Sequence, residues 1–369
     1  MSLALIPSFL LAADPVKPIP KSRPVDLVIC LDTSGSMNGL IDSAKRKLWM
    51  VVNDLAKTEP TPDLRVGLYF YGSPEYGKDS GYVTKKLDLT TDLDEVYKKL
   101  FEAKISGGEE YVARVSQAAL KELKWSDDAK AVKIIFVCGN EPVDQDREVS
   151  LESVATLAKK QKVFINTIYC GASQAPEAKG WEKFALDAGG SYANIDMNRA
   201  ATEVAIATPF DKELSELGGK LNQTYLAYGG KENLERRQNQ ALQDQNAQSL
   251  GKAAELDRAA SKATGLYKNA HWDLIDRIET DKTFDWKKLK EEELPEELKK
   301  AKPEDRETIL KKMIEERTSL RKQILELNKK REQFIEEEKK KKPLPPQEKA
   351  LDDALRGILK QQYQEKESK

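Results

Sequence analysis

Between residue 25 and about residue 198 the chain keeps exchanging two hydrophobic periods, and this narrows its folding options more than any other feature. Residues 25–31 (Val-Asp-Leu-Val-Ile-Cys-Leu) are an apolar β-branched run of strand length. Residues 40–57 then place Leu40, Ala44, Leu48, Val51, Val52 and Leu55 at helical spacing. Residues 64–71 repeat the strand pattern, and 82–89 read as a half-exposed strand, antiparallel at an edge. Helical stretches follow at 93–103 and 111–124, then a β-rich apolar run at 131–138. A helix at 150–160, a strand at 163–170 and a strand at 191–195 close the series. Near-continuous apolar strands alternating with helices predict an α/β fold, with a mostly parallel central sheet covered by helices on both faces.

After residue 198 the pattern changes. Residues 200–217 read as the last helix of the α/β unit, and 231–263, rich in Gln, Asn and Ala, as one long polar helix or a helical pair. Phe284-Asp285-Trp286 and Leu294-Pro295 punctuate a turn region. Residues 309–335 are a charged helix with Met313, Leu320, Leu327 and Phe334 seven residues apart and Leu310 and Ile324 between them. That is a heptad seam, broken where Arg317 and Arg331 take the alternate core position. It would serve in folding back on the same chain or in self-association. The division expected is a signal sequence at 1–13, a proline-rich tether at 14–24, the α/β domain at 25–217 and a helical extension at 218–283. A charged, partly coiled-coil segment at 284–342 and a proline-containing linker with a terminal helix at 343–369 complete it.

The apolar stretch ending in Leu11-Ala12-Ala13 has the length of a secretory core but lacks a basic residue before Lys17. It implies export to a periplasmic or extracellular site, or a cytoplasmic protein if the stretch is not a signal. Nothing else in the sequence is apolar enough to be a transmembrane segment. Lys+Arg 61 against Asp+Glu 62 leaves a net charge of -1, which argues against nucleic acid as a partner. The one histidine, His271, lies outside the α/β region, which disfavours histidine-based hydrolases and His-ligated zinc enzymes. Cys30, Cys138 and Cys170 each sit in or at the end of an apolar run and read as buried free thiols.

The first strand ends in Asp32-Thr33-Ser34-Gly35-Ser36-Met37, directly before a helix. Ligands of open α/β sheets bind beyond the carboxyl ends of the strands, so a carboxylate and two hydroxyls converge there. Oxygen ligands of this kind suit a hard cation such as Mg²⁺ or Mn²⁺. Asp32-x-Ser34-x-Ser36 after an apolar strand resembles the first metal-binding loop of the von Willebrand factor A family, and the chain resembles bacterial members with a C-terminal helical extension. The resemblance implies a Rossmann-like fold with a metal-ion-dependent adhesion site completed by two further loops. One would carry a Thr after paired glycines and the other an Asp after the central strand. Here Gly107-Gly108 is followed by Glu109, and Gly139 stands where the Asp is expected, ahead of Asn140-Glu141-Pro142.

Site residues carried over are therefore Asp32, Ser34 and Ser36. Glu109, or failing it Glu110, would supply the second carboxylate, and Asn140 or Glu141 would help directly or through water. The resemblance implies a non-enzymatic module that recognises a protein partner through a divalent cation. The alternative is a metal-free scaffold presenting the helical segments for assembly, which the missing Asp favours.

Overall fold

The strands form because their β-branched and aromatic residues fill both faces of a sheet. In this computed structural model, which describes residues 22–58, 61–195, 206–341, 357–358 and 361–363, they are β1 (Pro24–Asp32), β2 (Asp63–Tyr71), β3 (Val83–Thr90), β4 (Val132–Gly139), β5 (Val163–Tyr169) and β6 (Gly189–Asn194). Their order is β3-β2-β1-β4-β5-β6, parallel throughout except for β3, the antiparallel edge strand expected. Chain order reverses between β1 and β4, which opens a crevice at their carboxyl ends.

Alternate residues of β1 feed two cores. Val25, Leu27 and Leu31 join Trp49 and Val52 of α1 (Asn38–Ala56) and Tyr97 of α2 (Leu93–Phe101). Val28 and Cys30 join Val115 of α3 (Val112–Glu122), Val154 of α4 (Leu151–Gln161) and Trp181 of α5 (Ala178–Asp187). All three cysteines are buried and free. The sequence reading did not include α5: Pro176 and Gly180 obscure a helix whose Ala178, Trp181, Phe184 and Ala185 face inward.

The remaining helices are α6 (Asp211–Gln223), α7 (Lys231–Ser249), α8 (Lys252–Ala263), α9 (Leu274–Thr280), α10 (Glu296–Lys299) and α11 (Arg306–Lys341). Of the helix expected at 200–217, residues 200–205 lie outside those described, 206–210 are not helical, and α6 starts at Asp211. The expected domain boundary at 217 falls inside α6, and Leu214, Leu221, Leu256, Leu320 and Ile324 share the core that contains β1 and α1. Aromatic rings carry this junction: Trp49–Tyr267 at 6.4 Å, Tyr225–Tyr267 at 6.2 Å and Tyr225–Trp272 at 5.8 Å. The polar stretch 231–263 is a helical pair, broken at Gly251 where φ is 115°.

The heptad seam of α11 is an internal packing face. Leu310, Leu320, Ile324 and Leu327 are buried, and the helix lies on α6 and α8. The two arginines that break the seam are buried as well. Arg317 reaches Asp273 and Asp276, while Arg331 donates to Asp257 at 3.0 Å.

Both chain ends contribute to the fold. Arg23, expected in the tether, is buried, donating to Lys130 O and Tyr363 O, both at 2.7 Å. Gln362 and Asn166 exchange amide hydrogen bonds of 3.1 and 2.7 Å in the interior. Gln362→Ala strands the Asn166 amide NH₂, an expected loss of about 1–3 kcal/mol by urea unfolding. A change under about 0.5 kcal/mol would mean that the terminal segment does not hold this position in solution. The expected signal sequence at 1–13 and most of the linker from 343 fall outside the described residues. No helix among the described residues is long and apolar enough to cross a membrane.

Candidate metal centre

β1 delivers Asp32 to the crevice fully buried, and a 3-10 turn (Gly35–Met37) folds the following hydroxyls back over it. Asp32 Oδ1 accepts the Ser34 N–H at 2.7 Å. Ser34 Oγ lies 3.1 Å from Ser36 Oγ, which donates to Asn140 Oδ1 at 3.1 Å. Thr33 points the other way, donating its N–H and hydroxyl to Tyr71 O at 2.8 and 2.9 Å, and locks the turn to β2. The first loop is thus tied to the end of β2 and, through Asn140, to the end of β4.

The second loop joins α2 to α3. Ser106 N–H donates to Thr33 O at 3.0 Å, which docks this loop against the first. A Cβ on Gly108 would lie 2.7 Å from Gly72 O, so the close approach requires glycine there, whereas Gly107 has open space. Gly72, at φ 83°, comes nearer still: a Cβ would be 2.5 Å from Asp32 Oδ1 and 3.2 Å from Glu110 Cγ. Of the two glutamates, Glu110 is buried against Asp32, and Glu109 is exposed. The non-helical backbone leading into α3 explains the choice, since residues two apart there share a side. Val112 begins α3 facing the core, and the residue two before it turns inward with it.

Asp32 and Glu110 lie close enough for each carboxyl to act on the other, with Ser34 beside both. Burial pushes both carboxyls above their ordinary values, and the neighbouring Asp32 pushes Glu110 further. Asp32 Oδ2 and Glu110 Oε2 are buried without an N–H or hydroxyl donor. Two carboxylate oxygens left facing each other beside two serine hydroxyls and an amide oxygen form a donor set suited to a hard divalent cation. Among the described residues no three His, Cys, Asp or Glu side chains gather as a metal cluster, so any ion here would rely on hydroxyl and amide oxygens besides the two acids.

The third loop has no room for an acid at its expected position. A Cβ on Gly139 would lie 2.5 Å from Tyr71 Oη and 2.9 Å from Trp181 Cη2. Tyr71, buried and donating to Cys138 O at 2.9 Å, occupies the space instead. Restoring the acid by Gly139→Asp is therefore expected to destabilise the protein by about 1–3 kcal/mol or more through overpacking. No gain in cation affinity should accompany it, as measured by thermal unfolding and calorimetry. Glu141 is exposed, and its carbonyl accepts Trp181 Nε1–H at 2.8 Å. Its charge is felt at Asp32 and Glu110, but its side chain is not packed with them. Sequence reasoning missed Thr33, Tyr71, Gly72 and Trp181. Tyr71-Gly72 at the end of an apolar strand was the available signal, since that end faces the same crevice.

The sheet order, the antiparallel edge strand and an Asp-x-Ser-x-Ser turn at the switch point define a doubly wound α/β domain with its site at the strand ends. Residues 26–208 match the von Willebrand factor type A domain, so the chain carries a domain of that type. Such domains are generally non-enzymatic modules of protein–protein interaction. No curated protein matches the chain.

Among solved structures, proximal thread matrix protein 1 from the mussel byssus is 14% identical over 48% of this chain and 43% of its own, with a TM-score of 0.36. Another structure of that protein is described with zinc in its MIDAS (metal-ion-dependent adhesion site) motif. The SpRpn10 VWA domain is 18% identical over 50% of this chain and 100% of its own, TM-score 0.37. A von Willebrand factor type A protein from Catenulispora acidiphila is 16% identical over 48% and 40%, TM-score 0.36. The chain spans less than half the length of the mussel and Catenulispora proteins.

Proposed function

We propose that the domain is a non-enzymatic binding module for a protein partner, with a divalent cation, Mg²⁺ or Mn²⁺, held by Asp32, Glu110, Ser34 and Ser36. The observation that supports this most is the pair of buried, donorless oxygens on Asp32 and Glu110. Leaving two acids face to face in the interior is unfavourable, and a dication between them offsets it. Asn140 holds Ser36 and would orient it, while Glu109 is left to the surface. The bound ion would supply a fixed charge that closes the first two loops on each other. Calorimetric titration of Mg²⁺ and Mn²⁺ into the full chain and into Asp32→Ala is the test. Saturable binding that disappears in the variant is expected. Equal heats in both proteins would remove the cation from this reading.

A metal-free scaffold is the second reading. Gly139, wedged against Tyr71 and Trp181, favours it, because the third loop offers no acid. The helical extension, sharing the core of α1, would then be the element presented to partners.

A further inference from the structure

Beside the candidate metal loops, on the face covered by α4 and α5, lies an open groove of about 530 Å³, within the size range of about 300–1,000 Å³ typical of ligand sites. Its floor is apolar: Pro142, Val143, Leu151, Pro176 and Phe184. Its rim is acidic. Asp144, Glu152 and Glu177 line it with no ion-pair partner among the described residues, while Lys183, the one basic residue of the lining, is paired with Asp187. On α5, next to Asp187, Leu186 is 63% exposed and carries the apolar surface past the groove. An apolar floor under three unpaired carboxylates calls for an occupant with apolar side chains and clustered positive charge.

The chain carries such a segment. Lys339-Lys340-Lys341-Lys342 is followed by Pro343-Leu344-Pro345-Pro346, and Lys339, Lys340 and Lys341 are exposed at the end of α11. Lys339, Lys340 and Lys342 are opposite in charge to the rim, Lys341 being paired with Glu338 at 2.6 Å, and a leucine among prolines suits the apolar floor. Proline-rich segments are preset in an extended form and lose little entropy on docking. The groove and α11 lie on opposite faces of the sheet: α11 belongs to the layer over α1, and α4 and α5 cover the other face.

We infer that the α4–α5 groove receives the segment 339–346 of a second copy of this chain. The interaction does not involve the cation, so its test is run in EDTA and stands apart from the metal reading. The probe is a labelled peptide, Lys-Lys-Lys-Lys-Pro-Leu-Pro-Pro-Gln, titrated with the full chain by fluorescence anisotropy. Sedimentation of the full chain is followed in parallel. Saturable peptide binding that weakens at least tenfold in Glu152→Lys/Glu177→Lys, together with concentration-dependent self-association, is the expected result. Both substitutions lie on the surface, and circular dichroism checks that the fold is kept. The tail variant Lys340→Glu/Lys341→Glu should also be monomeric, and mixing it with the groove variant should restore association. No peptide binding overturns the inference. Peptide binding by a chain that stays monomeric overturns the second copy as occupant, and failure of the mixed variants to associate overturns the charge pairing.

Discussion

Arg317→Ala is expected to destabilise the chain by about 3–5 kcal/mol, the range for breaking a buried ion pair by removing one partner. Arg317 and Asp273 are both fully buried, and Asp276 nearly so. All five guanidinium hydrogens are used. Nε donates to Thr224 Oγ1 at 3.0 Å, one terminal nitrogen to Asp273 and Asp276, and the other to Asp273 and the Thr224 carbonyl. The guanidinium also lies 4.3 Å from the centroid of the Tyr225 ring. Asp273 in turn caps α9 through the Asp276 N–H at 2.9 Å and accepts from the Leu226 N–H at 2.6 Å. One side chain of α11 thereby fixes the end of α6 to the start of α9, and its loss leaves Asp273 without its cation in the interior, while Asp276 keeps Arg321 at 2.8 Å. Arg317→Lys should recover only part of the stability, since an ammonium cannot reproduce the planar fork. Urea unfolding with an unchanged slope is the measurement. A loss below about 1 kcal/mol, the level of a surface pair, would show that the network is not closed in solution.

The same arginine marks the limit of what periodicity reveals. Leu310, Leu320, Ile324 and Leu327 are legible as a seam because they recur at coiled-coil spacing. Arg317 and Arg331 read as defects, because burial of an arginine depends on acids more than forty residues away in the chain. The α/β half was easier. Its strands are buried on both faces and so write themselves as continuous apolar runs. Only α5, with glycine and proline in and before it, escaped. At the site, Asp32-x-Ser34-x-Ser36 is local and could be read directly. The choice between Glu109 and Glu110 was not local, because it depends on how the loop before α3 docks against the first loop. The fate of the third loop was hidden for the same reason. Gly139 is explained by Tyr71 from a strand not hydrogen-bonded to its own.

Glu110→Gln should move two quantities in opposite directions. In EDTA the wild-type protein buries the Asp32 and Glu110 carboxyls against each other, with two oxygens lacking donors. A glutamine amide at position 110 donates to Asp32 and removes one acid, so the metal-free protein should gain about 1–3 kcal/mol. The same change takes a charged ligand from the candidate site, and Mg²⁺ affinity, which follows ligand charge, should fall on the order of 100-fold. Glu109→Gln, at the surface, should change neither. The pH dependence has a definite sign. Burial and the Asp32 charge raise the Glu110 carboxyl, so its share of stability is complete below the ordinary carboxylate value of about 4.3 and is lost as pH rises through the raised value. Metal-free wild type should therefore weaken from about pH 5 up to about pH 10, where the raised Glu110 carboxyl titrates. Glu110→Gln should be flatter over that interval, and saturating Mg²⁺ should restore the wild type at the alkaline end. Thermal unfolding of the three proteins across pH, with and without Mg²⁺, separates these outcomes. A wild type whose metal-free stability is level with pH, and no higher in Glu110→Gln, would mean that the two acids do not face each other.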